Sequence, residues 1–144
     1  MVYIIATLLR KALEQQQSGW EELMLLPADY DDQALLHPFT RSLMQRIEFA
    51  HGGAEYDAKY PDGIPTTLTL EHATRGTFSS GLIMYPAGHA RNTTDNLTQL
   101  LSCKVNRFAA LGVQDVSAFL QRTSGFREKT SQEIQELFDF ELKC

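Results

Sequence analysis

Tyr85-Pro86-Ala87-Gly88-His89-Ala90-Arg91-Asn92 gathers a phenol, an imidazole, a guanidinium and a side-chain amide into one short stretch. An imidazole can give or take a proton near neutral pH, and a guanidinium can hold an anionic oxygen. Pro86 ends the β-type run before the stretch, and Gly88 permits a sharp turn, so these groups fall where scaffold becomes loop. The same residues also suit the plainer work of forming a turn and capping a helix. Tyr3 is a second candidate, because a phenol at a helix start can donate to a carboxylate or help move a proton. Its plainer reading is an aromatic ring anchoring the first turn.

Other self-contained chemistry is missing from the sequence. It has no phosphate-cradling glycine motif, nucleophile elbow or His-Glu-x-x-His. His37, His51, His72 and His89 stand far apart, so a metal site would need ligands converging from distant loops, and neither metal nor cofactor is expected. His72 reads as an exposed turn residue, His37 as a cap before Pro38, and His51 as a loop histidine beside Gly52-Gly53. Cys103 and Cys144 lack the spacing of a metal clip or a disulfide framework.

Composition narrows the class. The chain has 144 residues, 43% hydrophobic and 22% charged, which fits one globular domain with a core of its own. A net charge of −5 without a Lys/Arg block argues against binding nucleic acid. The longest apolar run, residues 23–26, is too short to span a bilayer. Residues 1–5 lack the basic segment of a secretory signal, so an intracellular setting is expected.

The hydrophobic period sets the elements that must position these groups. It predicts helices over residues 1–45, a mainly β region over 46–94 and helices again over 95–144. Ile5, Leu8, Leu9, Ala12 and Leu13 mark one face of an opening helix without an N-cap residue. Residues 29–36 read as a further helix, and 55–63 as a loop. Alternation predicts strands at 46–51, 65–72 and 77–85, hence an α+β fold with a small antiparallel sheet of three or four strands. Residues 95–112 and 113–121 read as helices, and Thr130-Ser131-Gln132-Glu133 as the capping box of a last one.

Four segments, residues 1–12, 25–30, 55–65 and 80–92, together resemble the MmgE/PrpD (2-methylcitrate dehydratase-like) family, in the family's order. The Lys59-Tyr60-Pro61-Asp62-Gly63-Ile64-Pro65 segment ahead of Tyr85-Pro86-Ala87-Gly88-His89 is the most specific part, and the match runs to about Phe140. The resemblance implies the C-terminal, lid-containing part of such an enzyme, since members carry a large helical domain ahead of this region. Two departures stand out. The family's tyrosine usually follows a His-Ser pair, and its later helix usually carries Glu or His before Lys-Phe, where this chain has Ser102-Cys103-Lys104-Val105.

By that resemblance Tyr3 corresponds to a tyrosine of the substrate pocket, and Gly88 and His89 to a Gly-His element that contacts substrate. The implied reaction is loss of water from 2-methylcitrate in propionate catabolism, without an iron–sulfur cluster or other cofactor. A cis-aconitate decarboxylase-like member and a non-catalytic truncated binding domain are the alternatives. The resemblance further implies a tricarboxylate substrate and a homodimeric parent, in the mitochondrial matrix of a eukaryote or the cytoplasm of a bacterium. By itself the chain is expected to be inactive, to expose apolar surface and to self-associate.

Overall fold

In the computed structural model, which describes residues 1–143, helices come before and after one small hairpin along the chain. The helices are α1 (Val2–Gln15), α2 (Trp20–Leu23), α3 (Asp32–Leu35), α4 (Pro38–Met44), α5 (Ala54–Asp57), α6 (Leu97–Gly112), α7 (Val116–Thr123) and α8 (Ser131–Gln135). The strands are β1 (Thr69–His72) and β2 (Gly76–Ser79), so the class is α+β. Where composition suggests one domain, the chain divides into two compact units, Met1–Leu97 and Thr98–Cys144.

In the first unit α1 packs on α4. The fully buried residues there are Ala6, Thr7 and Thr40, small side chains that let two helix backbones approach closely. Polar groups hold α1 in place: Arg10 Nε donates to Thr40 Oγ1 on α4 at 2.9 Å, and Lys11 Nζ reaches Asp29 Oδ2, ahead of α3, at 3.0 Å. The helix expected over 29–36 is broken in two. Asp31 adopts an extended conformation and accepts the Ala34 N–H at 2.7 Å, so it caps α3 and leaves Pro27–Tyr30 as a separate 3-10 turn. The loop expected over 55–63 begins with the single helical turn α5.

The sheet has two strands, not the three or four that alternation suggests. Thr69 pairs with Ser79, Leu70 with Phe78, Glu71 with Thr77 and His72 with Gly76. Residues 46–51 are irregular: the Arg46 and Ile47 N–H groups turn back to the Leu43 and Met44 carbonyls, and Phe49 is 62% exposed. Alternation marks a segment able to pair, but a strand also needs a neighbouring ladder, and the end of α4 takes these donors first. The hairpin reaches further as an isolated Thr66–Ile83 bridge, offset by one extra residue on the second strand. Ser80 Oγ accepts the Leu68 N–H at 2.9 Å at that bulge, so a side chain stands in for a ladder carbonyl.

In the second unit α6 ends at Gly112 and α7 starts at Val116, later than the expected residue 113. Asp115 explains the delay, since its carboxylate accepts the Ala118 N–H at 2.9 Å and sets the helix start there. Val113, 6% exposed, instead bridges to Leu142. Phe119 and Phe140 meet edge to face at 5.0 Å. The Thr130 capping box forms as expected, the Thr130 N–H donating to Glu133 Oε2 at 2.8 Å.

The accessible surface is 10946 Å² for 16.3 kDa. A folded monomer of that mass exposes about 7,500 Å², so the chain leaves a large share of its apolar side chains in water. Among the described residues no helix is long and apolar enough to cross a membrane.

Candidate functional site

Two loops of the first unit meet around Asp62. Gly63 makes the approach possible: a Cβ there would lie 2.7 Å from the Met84 carbonyl oxygen and 3.0 Å from the Tyr85 ring. The Ile64 N–H donates to that Met84 carbonyl at 2.8 Å, so the backbones cross in contact. Any side chain larger than hydrogen at Gly63 pushes Asp62 away from Tyr85. Gly88 solves a different problem. The His89 N–H closes a turn on the Pro86 carbonyl at 3.0 Å, and the third residue of that turn, Gly88, has φ 88°. A type II turn requires positive φ at that place, which side chains resist.

Asn92 then locks the loop onto its scaffold. Its Nδ2 donates to the Tyr85 carbonyl at 2.7 Å, while its Oδ1 accepts the N–H groups of Thr94 at 3.0 Å and Asp95 at 2.8 Å. The side chain of Asn92 is therefore spent on structure, as the turn-and-cap reading of the sequence expects.

The remaining groups form one cluster. Arg91 Nη1 forms a close ion pair with Asp62 Oδ1, and the Tyr85 hydroxyl donates to Asp62 Oδ2 at 3.0 Å. The Arg91 guanidinium, then the Tyr85 hydroxyl, hold the Asp62 carboxyl below the usual carboxylate range. His89 is half-buried and stacks on Tyr85, ring centroids 5.0 Å apart and 30° between planes. Its Nδ1 accepts the Arg91 N–H at 3.1 Å, so the neutral ring carries its proton on Nε2. The cluster thus leaves an N–H on His89 and the outer N–H groups of Arg91 as donors for an anionic group.

Of the candidate residues, Gly88 and His89 fall in this cluster and Tyr3 does not. The Tyr3 hydroxyl donates to the Asp29 backbone carbonyl, and its ring lies 5.9 Å from Tyr30. Tyr3 therefore works as a tie between α1 and the 3-10 turn, sharing no partner with His89 among the described residues. Sequence reasoning passed over Asp62 and Gly63 as site residues, although opposite charges in the two segments around Asp62 and Arg91 were a signal of contact.

Among the described residues the other three histidines take no part in the hydrogen bonds of this cluster. His72 Nδ1 accepts the N–H groups of Thr74 and Arg75 at 3.2 Å and closes the hairpin. His51 pairs with Asp57 at 3.1 Å in an exposed loop, and His37 makes no side-chain cap bond at the start of α4. Among the described residues no group of three or more His, Cys, Asp or Glu side chains is arranged to hold a metal ion. Compared with known protein families, curated proteins and solved structures, the chain matches none.

Proposed function

We propose that this chain is the C-terminal, lid-containing part of a 2-methylcitrate dehydratase-like lyase, and that the Asp62–Arg91–His89 cluster contacts a carboxylate of its substrate. One observation carries the reading. The two segments that resemble the family most specifically, around Asp62-Gly63 and around Gly88-His89, lie apart in sequence and meet through the Asp62–Arg91 pair and Tyr85. In the dehydration a base takes the proton next to a carboxylate, the adjacent C–O bond breaks, and the hydroxyl leaves as water with a proton from an acid. His89 and Arg91 suit the holding of a carboxylate during that step. Together with Tyr3, already engaged by Asp29, they do not make up the acid and base the reaction needs.

The test has two arms. In the first, the purified chain is titrated with citrate, a stable tricarboxylate, while amide and imidazole resonances are followed. Shifts at Gly88, His89 and Arg91 that Arg91→Gln abolishes are expected, with no turnover of 2-methylcitrate. In the second, the chain replaces the corresponding part of an active 2-methylcitrate dehydratase, and dehydration is expected to return. No shift in the first arm together with no activity in the second overturns the proposal.

The engagement of the Tyr3 hydroxyl favours a second reading, a non-catalytic binding domain. Citrate binding without activity in the fused protein would support it.

A further inference from the structure

The sixteen-residue helix α6 carries a bare apolar face. Leu101, Val105, Phe108 and Leu111 follow one another at helical spacing and are 49%, 45%, 42% and 49% exposed. Lys104 projects from the same face, since at about 100° per residue it falls between Leu111 and Phe108 around the axis. Lys104 is exposed, and its ammonium group has no hydrogen bond or ion pair among the described residues. The helix contains no Asp or Glu, and Arg107 is its other charged residue.

We propose that this face docks an amphipathic helix of a partner protein, and that the partner helix carries a carboxylate at the centre of its own apolar stripe. The apolar residues give the partner something to bury, and α6 is about 24 Å long, enough for a helix-on-helix contact of several turns. Lys104 supplies the selection. Covering an ammonium group without a counter-charge leaves a desolvated, unpaired cation, so a partner must bring an anion to the middle of the contact. The lack of any acidic residue on α6 means that the helix itself cannot provide it.

The same lysine argues against a second copy as occupant. Lys104 stands at the middle of Leu97–Gly112 and to one side of the stripe, so a fully overlapped antiparallel pair of α6 helices brings the two Lys104 ammonium groups together on one flank. A like-charge meeting beside an apolar contact disfavours that pairing. An acidic partner turns the same group into an attraction, and a single charged residue at a seam position then fixes the register.

The test uses the full chain and two fluorescein-labelled eighteen-residue helical peptides with identical leucine stripes, one with Glu at its centre and one with Lys. The Glu peptide is expected to bind saturably, with a Kd at least tenfold below that of the Lys peptide, read by fluorescence anisotropy. Amide shifts should centre on Leu101, Val105, Phe108 and Leu111. Lys104→Glu should reverse the preference, and far-UV circular dichroism checks that the variant is folded. If that variant does not fold, the comparison of the two peptides on the unaltered chain still decides. Equal binding of both peptides, an unchanged preference in Lys104→Glu, or shifts confined to other elements overturn the proposal. So does a dimer in light scattering that Phe108→Arg dissolves, because a second copy would then occupy the face.

Discussion

The two long helices, α1 and α6, are both amphipathic, of 14 and 16 residues, and they end up differently. α1 places Ala6 and Thr7 out of water completely and is tied down by Tyr3, Arg10 and Lys11 through bonds to Asp29 and Thr40. α6 buries no residue fully and leaves its largest side chains half in water. An apolar stripe is therefore not enough to seat a helix. Small residues on the contact face let a partner approach, and polar groups with fixed partners then define where it stops. α6 has the stripe but no fully buried residue, so its apolar face is left for a partner to cover.

Substitutions sharpen this contrast, and the largest effect is expected at the α1–α4 contact. Ala6→Leu forces extra volume into a fully buried position and should cost about 3 kcal/mol, whereas Val105→Leu on α6 should change stability by less than about 0.5 kcal/mol. Chemical denaturation of both variants checks it, and equal effects would break the comparison. Lys11→Met comes next. It removes the cation from Asp29, whose carboxylate keeps only the Leu26 N–H, in a pair whose side chains are 13% and 15% exposed, and about 2 kcal/mol should be lost. Lys104→Met on α6 should leave stability unchanged in the same melts.

Gly88→Ala should follow, costing about 1–2 kcal/mol because alanine resists the positive φ of that turn. Hydrogen exchange should register the loss in residues 85–92 before it is felt in α1. Thr7→Val runs the other way. The Thr7 hydroxyl is buried without a partner, so removing it should be neutral or gain up to about 1 kcal/mol. A marked loss there would mean that the hydroxyl finds a bond in solution.

The smallest effect is acid-dependent. Hydrogen bonding to Arg91 and Tyr85 lowers the Asp62 pKa in the folded chain. The contribution of this cluster is therefore complete above about pH 4 and is lost as pH falls through the lowered pKa. Asp62→Asn should remove that part of the pH dependence, with the α1 ties unaffected. An acid limb of the stability profile that Asp62→Asn leaves unchanged would contradict the assignment.

Local chemistry was legible from residues alone. The end of α6 at Gly112, the Thr130–Glu133 box, the turn at Gly88 and the hairpin closed near His72 each depend on groups a few residues apart. Chain order already places such groups together, so their types suffice to read them. The α+β class followed from the same short-range periods. What sequence could not decide was which partner each polar group would find. Residues 46–51 have the alternation of a strand but no neighbouring ladder, and Asp31 and Asp115 won the right to cap and so moved two helix starts. Asp62 meets Arg91 across 29 positions because Gly63 lets two backbones touch, and Tyr3 spends its hydroxyl on a carbonyl 26 positions away. Those choices depend on three-dimensional proximity, where a donor takes whichever acceptor the packing brings within reach, and only the tertiary structure determines that.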